Sequence, residues 1–382
     1  MIYLDNAATS YPKPQEVYDR VYSFMKETCA NPGRSSHEMA RKSAECVNNT
    51  REGLAALFNI DDPMRIGFTP NATYALNMAI QGVLRKGDHV VTTAMEHNSV
   101  LRPLYELKKN GIISYTIVKP KNRFGEIDAY AISKAVGINT RLIVLTASSN
   151  VTGTIMPYAE VGEIARKRGV YYLLDASQGA GVLPIDVKKM NITMLAFPGH
   201  KGLLGPQGTG GLYVDERVPL RSIIQGGTGS RSFETIHPSF MPDILESGTL
   251  NTPGIAGLGA AVDFILKTGT KAILEKKEQL TKLLYERLSG HKKIRLYSTC
   301  EDHKNSGIIA FIIEGMDSSE IAGILDSKYH IAVRPGFHCA PLAHRELRTE
   351  KSGLVRISIG YFNTPDEIQY AADSIIEIAD NA

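Results

Sequence analysis

The 382-residue sequence lacks an apolar run long enough to cross a membrane. A spanning helix needs roughly 18 consecutive apolar residues, whereas the apolar segment 307–313 has only the length of a buried strand. The first residues also lack the positive charge and the long apolar stretch of a secretory signal, and they include the acidic Asp5. We therefore expect a cytoplasmic protein with no membrane partner.

Cysteines and clustered charge are also scarce. The four cysteines, Cys29, Cys46, Cys300 and Cys339, lie far apart and form no CxxC pair, which argues against a disulfide framework and a zinc ribbon. The 43 basic and 40 acidic residues are mixed along the chain, so no tract is basic enough to bind nucleic acid. The glycine-rich run that follows residue 201 contains neither a P-loop nor a dinucleotide fingerprint. A hydrophobic fraction of 43% excludes a disordered chain.

Short β-rich runs alternate with helical patterns from about residue 65 to residue 214. This alternation predicts a mostly parallel sheet with right-handed crossovers. Beyond about residue 253, two helical patterns followed by shorter strands and helices predict a smaller α+β domain. The predicted strands of the sheet are 65–69, 89–93, 114–118, 141–146, 171–175, 193–197 and 210–214, and the predicted helices between them are 72–83, 100–109, 128–136 and 158–168.

Polar residues follow several of these strands, and parallel sheets bind ligands at the carboxyl ends of their strands. Thr73 lies at the start of a helix whose free N–H groups suit a phosphate, although a simple N-cap explains the same residues. His97 follows the second strand and is either a capping or a functional histidine. Asn150 follows the fourth strand in a segment that is equally typical of a turn.

Two charged residues follow later strands. Asp175 closes an apolar strand, where a carboxylate is costly unless something positive meets it. It therefore either caps the backbone or faces a bound cation. Lys201 follows the sixth strand at the mouth of the sheet and is either a solvated charge or a nucleophilic amine.

The small domain contributes a cysteine and an arginine. Cys339 lies in a loop bounded by glycine and proline with basic neighbours, which favours a thiolate, although buried packing is the commoner role of a cysteine. A metal site formed by His338, Cys339 and His344 is disfavoured, because no further ligand completes a tetrahedral set. Arg356 lies in a buried strand and needs an anionic partner, either a structural carboxylate or a substrate carboxylate.

Together these residues fit one cofactor, pyridoxal phosphate (PLP). PLP needs a lysine for covalent attachment and an acid that faces its pyridine nitrogen. It also needs a helix N-terminus for its phosphate and a flat side chain over its ring, and an arginine would bind the carboxylate of an amino acid substrate. The sequence offers these groups as Lys201, Asp175, Thr73, His97 and Arg356.

The sequence resembles the class V aminotransferase-like, fold-type I PLP enzymes, and within them the cysteine desulfurases and selenocysteine lyases. The resemblance covers nearly the whole chain, and its motifs occur in the family's order. These motifs are Tyr3-Leu4-Asp5-Asn6-Ala7-Ala8-Thr9, Asn31-Pro32-Gly33-Arg34-Ser35-Ser36-His37, Met95-Glu96-His97, Asp175-Ala176-Ser177-Gln178, Gly199-His200-Lys201, Ser247-Gly248-Thr249-Leu250-Asn251-Thr252 and Arg334-Pro335-Gly336-Phe337-His338-Cys339-Ala340. Segment 31–37 is similar to the NifS-like branch, and the short loop at Cys339 to the SufS-like branch.

The resemblance implies an α/β fold of two domains. A large PLP-binding domain would span residues 13–262 around a mostly parallel seven-stranded sheet. A small α+β domain would span residues 263–382, with residues 1–12 packed on it. The resemblance also implies a homodimer, in which Thr249 binds the phosphate in the partner's site.

The resemblance also assigns roles within one site. Lys201 would hold PLP covalently, Asp175 would face the pyridine nitrogen, and Gln178 would lie near the phenolic oxygen. His97 would stack on the ring and relay protons. The further phosphate ligands would be Ala72, Thr73 and His200.

The implied activity is that of a cysteine desulfurase. L-cysteine would become L-alanine, and its sulfur would pass as a persulfide on Cys339 to an acceptor protein, while Asn150 and Arg356 bind the substrate carboxylate. A selenocysteine lyase or a PLP-dependent C–S β-lyase of the same fold is the alternative. A non-catalytic sulfur-carrier dimer is supported only by Pro198, which lacks the hydroxyl of the serine that the family often has there. We expect no metal ion.

Overall fold

A computed structural model describes residues 1–32 and 36–382 of the chain. A short strand, β1, and two helices precede the central sheet, and the sequence patterns had predicted none of the three. The buried face of the second helix begins with the small residues Ala40 and Ser43, and its large apolar residues, Val47, Leu54 and Phe58, are confined to the later turns. The bounds of these three elements are Ile2–Tyr3 for β1, Gln15–Glu27 for α1 and Glu38–Phe58 for α2.

The central sheet has seven strands in the order β2-β8-β7-β6-β5-β3-β4. Five strands, from β4 to β7 in that order, pair in parallel, whereas β8 is antiparallel to both β7 and β2. The predicted mostly parallel seven-stranded sheet is therefore confirmed. The strands are β2 (Ile66–Thr69), β3 (His89–Thr93), β4 (Ser114–Val118), β5 (Thr140–Thr146), β6 (Tyr171–Asp175), β7 (Met194–Pro198) and β8 (Gly210–Val214).

Helices cover both faces of the sheet, so its central strands are buried on both sides. The edge strand β4 instead alternates exposed and half-buried residues along most of its length. The four predicted crossover helices are present, within two residues of the predicted bounds. They are α3 (Ala72–Val83), α4 (Asn98–Lys109), α5 (Ala129–Ala135) and α6 (Tyr158–Arg168).

A glycine-rich helix, α7 (Thr252–Thr268), packs closely against α1 and α2. A Cβ atom on Gly257 would lie 2.5 Å from Cγ2 of Val21, and one on Gly259 would lie 2.5 Å from Oγ1 of Thr50. Those two positions therefore require glycine, and they fix the first two helices against the large domain.

The C-terminal part forms a smaller three-stranded antiparallel sheet with helices packed on it. Strand β1 pairs in parallel with a short strand of this part, and Leu4 joins its apolar cluster. The domain bounds 13–262 and 263–382 stay predictions. The elements are α8 (Thr270–Ser289), β9 (Ile294–Leu296), β10 (Ile308–Ile313), α9 (Ser318–Tyr329), β11 (Ile331–Ala332), α10 (Pro341–Leu347), β12 (Val355–Ser358) and α11 (Pro365–Asn381).

Within the described residues, no helix combines the length and the apolar character needed to cross a membrane. The same residues contain no group of three or more His, Cys, Asp and Glu side chains arranged to hold a metal ion. Of the motif at 31–37, residues 33–35 lie outside the described residues. His37 is described, and its Nδ1 atom accepts a hydrogen bond from Ala40 N at the start of α2.

Candidate active site

The carboxyl ends of five strands of the large sheet open onto one cavity, as the strand-end argument predicts. Eight of the predicted site residues line it, and sequence reasoning assigned no role to Ser99 or Ser177, which line it as well. Cys339, Arg356 and Thr249 lie outside its lining. The predicted residues in the lining are Ala72, Thr73, His97, Asn150, Asp175, Gln178, His200 and Lys201.

Lys201 lies in the turn that follows β7, and protein surrounds its amine. Burial lowers the pKa of Lys201 to about 8, although the Asp175 carboxylate opposes this effect. A substantial fraction of the amine is therefore neutral and nucleophilic near neutral pH. The turn passes so close to Thr209 that a Cβ atom on Gly199 would lie 2.0 Å from Thr209 Oγ1, which explains the glycine two residues before the lysine.

Asp175 closes β6 and is 2% exposed. Its Oδ1 atom accepts hydrogen bonds from Ser177 N at 2.9 Å and from Ser177 Oγ at 2.5 Å. Its Oδ2 atom accepts none from the described residues, so one carboxylate oxygen is left for a cation. One Asp175 oxygen therefore caps the backbone, as the first of the two interpretations predicts, and a cation facing the other oxygen stays a prediction.

His97 precedes α4 and caps it. Its Nδ1 atom accepts a hydrogen bond from Ser99 N at 3.1 Å, so the neutral ring carries its proton on Nε2. Burial is the chief cause that lowers the pKa of His97 and favours this neutral form, with Asp175 opposing. Ser99 Oγ lies 2.9 Å from Nδ1 of His97 and 2.8 Å from Oγ1 of Thr73. A hydroxyl chain therefore joins the start of α3 to this histidine.

The start of α3 and His200 offer free polar groups to an anion. Asn71 caps the helix by accepting from Tyr74 N at 3.1 Å, while the N–H groups of Ala72 and Thr73 find no acceptor among the described residues. His200 Nδ1 is buried and has no hydrogen-bond partner within the part of the chain that the structure describes. Burial lowers the pKa of His200 to about 4, so its ring is neutral near pH 7. A helix N-terminus beside an unpartnered ring nitrogen suits a phosphate group.

Cys339 lies in an exposed position on the loop between β11 and α10, over a second cavity of about 860 Å³. That cavity shares Thr73, His97 and Ser99 with the first. The loop is fixed at two carbonyls, because Asn98 N donates to Cys339 O at 2.8 Å and the Asn150 amide donates to His338 O at 2.6 Å. These two contacts hold the cysteine loop against the start of α4 and against the segment that follows β5.

Two arginines lie beside the cysteine loop. Arg334 Nη2 lies 3.9 Å from Cys339 Sγ. Arg356 is 1% exposed, and its guanidinium donates to Asp5 Oδ1 at 2.8 Å and to Asn150 O at 2.9 Å, while its Nε is buried without a partner. The structure thus brings together Asn150 and Arg356, which the resemblance pairs, and it adds Asp5 as a counter-charge that the sequence did not identify.

Two other predicted residues lie in less direct positions. Gln178 donates from its side-chain amide to Ala7 O at 3.0 Å, which ties the N-terminal segment to the cavity. Thr249 is exposed and lines a different cavity of about 310 Å³ with Tyr74 and Asn251. Its predicted role in a partner's site stays a prediction.

Glu96 is a buried carboxyl beneath this site that sequence reasoning assigned no role. Thr93 Oγ1 donates to its Oε1 atom at 2.7 Å, and its Oε2 atom is buried without a partner. Burial, with a smaller contribution from Asp175, raises the pKa of Glu96 from 4.5 to about 8. The folded state therefore binds this proton more tightly than the unfolded state, and stability falls as the pH rises between those two values.

We expect Glu96→Gln to remove this pH dependence, because glutamine has nearly the same shape and cannot ionise. Near pH 5 the variant and the parent should unfold at similar temperatures. Near pH 9 the variant should be more stable by at least about 2 kcal/mol. Thermal unfolding followed by circular dichroism at both pH values checks this, and a stability difference that is equal at the two pH values would contradict it.

Comparison with known proteins agrees with this geometry. The family described as aminotransferase class-V matches residues 2–371 of the chain. A protein of Methanothermobacter thermautotrophicus, described as "Probable cysteine desulfurase", is 36% identical over 387 residues, which cover 99% of this chain and 94% of the relative. A Synechocystis protein with the same description is 30% identical over 386 residues, which cover 98% and 90% of the two chains.

Solved structures agree with the sequence relatives. The apo structure of a cysteine desulfurase from Thermococcus onnurineus superposes with a TM-score of 0.93 at 29% identity, covering 100% of this chain and 95% of the other. The cysteine desulfurase CsdA from Escherichia coli superposes with a TM-score of 0.88 at 28% identity, covering 99% and 94%. The chain therefore belongs to the aminotransferase class-V family and, within it, to the cysteine desulfurases.

Proposed function

We propose that the protein converts L-cysteine to L-alanine and carries the released sulfur as a persulfide on Cys339. The observation that carries this proposal is that Lys201 and Cys339 open onto adjoining cavities with Thr73, His97 and Ser99 as shared walls. One cavity holds an amine that is partly neutral near pH 7, and the other brings a thiol to the same place. Cleavage of a C–S bond with transfer of the sulfur requires both groups.

The first cavity fits pyridoxal phosphate at three points. The Asp175 Oδ2 atom is free to face the pyridine nitrogen, and the free N–H groups at the start of α3 suit the phosphate. The unpartnered Nδ1 atom of buried His200 gives the phosphate a further contact. Pro198 also lines the cavity but supplies neither an N–H nor a hydroxyl. We therefore propose PLP as the cofactor, held covalently by Lys201 Nζ.

When bound, PLP supplies an electron sink for negative charge on the substrate α-carbon. Asp175 would face the ring nitrogen and favour a proton there, because its carboxylate is buried in the same cavity. The Lys201 amine, whose pKa lies at about 8, takes the proton from the substrate α-carbon. His97, whose neutral ring carries its proton on Nε2, would lie over the cofactor ring and relay protons.

Sulfur transfer is a displacement at sulfur by Cys339. The thiolate of Cys339 attacks the substrate sulfur, and an S–S bond forms as the substrate Cβ–S bond breaks. The electron pair of the broken bond goes to Cβ, which takes a proton. Cysteine and one enzyme thiol thereby become alanine and one enzyme persulfide, with atoms and electrons balanced. Arg334 Nη2 lies 3.9 Å from the sulfur of Cys339.

Arg356 is proposed to bind the substrate carboxylate through the N–H groups that Asp5 and Asn150 leave free. We expect Arg356→Lys to raise the KM for L-cysteine about 10- to 100-fold with a smaller change in kcat, because an ammonium cannot reproduce the forked contact. Lysine keeps a charge next to Asp5 and so avoids an unpaired buried carboxylate. Initial rates of alanine formation measure both constants. An unchanged KM would contradict this role for Arg356.

The products test the proposed function. The purified protein is incubated with L-cysteine and a thiol reductant, and alanine, pyruvate and sulfide are quantified. We expect alanine and sulfide in equal amounts. Pyruvate and ammonia instead of alanine would overturn the proposal in favour of a C–S β-lyase, and alanine from selenocysteine alone would overturn it in favour of a selenocysteine lyase.

The resemblance implies two further features of the proposed function, a homodimer with Thr249 contributing to the partner's site and a protein acceptor for the sulfur of Cys339. We also propose a cytoplasmic location, as the sequence predicts. The exposure of Thr249 on the surface of one chain supports the first feature. The exposure of Cys339 supports the second, because an acceptor has to reach the persulfide.

A further inference from the structure

Two buried histidines form a hydrogen-bonded pair directly behind Cys339. His338 and His344 are 3% and 1% exposed, and their ring planes lie within 21° of each other with centroids 5.6 Å apart. His338 Nε2 lies 3.1 Å from Arg334 O, and His338 Nδ1 lies 3.4 Å from His344 Nε2. His344 Nδ1 lies 2.8 Å from Thr349 Oγ1. The contacts form a continuous chain from Thr349 to the loop that carries Cys339.

The groups at the two ends of this hydrogen-bond chain determine which atom donates and which accepts in each hydrogen bond. The carbonyl of Arg334 can only accept, so the proton of His338 lies on Nε2 and its Nδ1 atom is an acceptor. His344 must then donate from Nε2, which leaves its Nδ1 atom to accept from the Thr349 hydroxyl. Thr349 Oγ1 also lies 3.4 Å from His344 O, and its shorter contact, 2.8 Å to His344 Nδ1, takes the hydroxyl proton.

Both rings are neutral in this arrangement, and their surroundings favour the neutral form. Burial is the main cause that lowers the pKa of His338 to about 3, and the nearby Arg356 lowers it further. Burial lowers the pKa of His344 to about 4, while contacts with the backbone of Thr349 and Phe337 and the charge of Glu350 oppose the change. Each ring therefore has one donor and one acceptor, as the chain requires.

The chain holds a strained part of the loop. His338 and Cys339 have φ values of +50° and +57°, so two consecutive non-glycine residues adopt the left-handed conformation. That conformation is unfavourable for residues other than glycine, and it persists only where the surroundings hold it. The side chain of His338 closes the loop onto Arg334 O, which fixes the backbone immediately before the cysteine.

We propose that His344 and Thr349 are positioning residues for sulfur transfer, because their hydrogen-bond chain fixes the ring of His338 and thereby holds Cys339 at the mouth of the site. The inference rests on the proposed function of Cys339. Neither His344 nor Thr349 lines the cavities that contain Lys201 or Cys339. Their effect should therefore appear in the step that uses the Cys339 thiol, and cofactor and substrate binding should be unaffected.

The test compares variants that break the chain with one that preserves it. Thr349→Val removes the hydroxyl with little change in shape, and His344→Leu removes both ring nitrogens. His344→Gln keeps an N–H donor close to the position of Nε2. Thr281→Val is the matched control, because Thr281 is also a buried threonine, 2% exposed, whose hydroxyl donates to Lys277 O at 2.7 Å on α8.

We expect Thr349→Val and His344→Leu to slow persulfide formation on Cys339 in a single turnover about 10-fold or more. The KM for cysteine and the cofactor absorbance should stay within about twofold of the parent. A small displacement of the Cys339 thiol slows the sulfur-transfer step and does not change the binding of substrate or cofactor. His344→Gln should restore most of the rate, and Thr281→Val should leave it unchanged. Parent-like rates in both chain-breaking variants, or a glutamine variant as slow as the leucine variant, would overturn the inference.

A second readout does not depend on turnover of cysteine. The alkylation rate of Cys339 by iodoacetamide is measured by peptide mass spectrometry, with exposed Cys29 as the reference thiol in the same chain. The ratio of the two rates should change in Thr349→Val and not in Thr281→Val. If the parent yields no alanine while this ratio still changes, the proposed function fails and the positioning role stands. An unchanged ratio in Thr349→Val contradicts the positioning role itself.

Discussion

Replacing Lys201 with alanine is expected to abolish the yellow cofactor absorbance and to lower the rate of alanine formation at least about 10³-fold. Lys201 combines two properties that no other described residue combines in this cavity, which are a buried amine with its pKa lowered to about 8 and the nearby carboxylate of Asp175. Loss of the amine removes both the covalent attachment and the group that accepts the α-proton.

Lys277 supplies a matched control for this prediction. Burial lowers its pKa to about 8 as well, but no carboxylate contributes to that pKa and Lys277 does not line the cavity of Asp175. Lys277→Met should therefore keep the cofactor absorbance and the activity within about twofold. Borohydride reduction of the loaded protein followed by peptide mass spectrometry should place the cofactor on Lys201. Cofactor on Lys277, or a Lys201→Ala variant with parent-like activity, would contradict the assignment.

Replacing Cys339 with serine is expected to abolish persulfide formation and to lower alanine formation at least about 10²-fold, while the cofactor absorbance is retained. A hydroxyl is a poor acceptor of sulfur, and the other cysteines lie outside both active-site cavities. The residue is exposed, so its loss should change the free energy of unfolding by no more than about 0.5 kcal/mol. Loss of activity would thus report chemistry rather than unfolding.

Cys29→Ser is the control for Cys339→Ser, because Cys29 is also exposed and lies on the segment that follows α1. It should retain full activity and a full yield of persulfide. Sulfide release and alanine are measured for both variants under the same conditions. Full alanine formation by Cys339→Ser would show that the sulfur leaves the substrate without this residue.

The bounds of the seven strands of the large sheet were predicted within one residue, both for strands buried on two faces and for the edge strand β4. Strands β3, β4, β6 and β8 have the predicted bounds. Strand β7 instead begins at Met194 and extends to Pro198, because Pro198 still pairs with Gly210 of the antiparallel strand β8. Neither an apolar pattern nor a proline signals such an extension, since proline normally ends a strand.

The sequence predicted site residues that closely follow strands. The prediction missed residues whose contacts join distant parts of the chain. Ser99 and Ser177 lie one or two residues from predicted site residues, so their participation could have been inferred from spacing alone. Asp5 and Arg356 are 351 residues apart, and no local pattern connects them. The chain from Thr349 to His338 likewise depends on how the loop packs against α10, which a single sequence does not reveal.

Stoichiometric reaction with L-cysteine in the absence of reductant tests the central claim most directly. The protein is mixed with one equivalent of cysteine, alanine is quantified, and the peptide that contains Cys339 is weighed by mass spectrometry. The account predicts one alanine per active chain and the added mass of one sulfur atom on Cys339, which the reductant removes. Alanine without added sulfur on that peptide, or added sulfur on another cysteine in its place, would contradict the account.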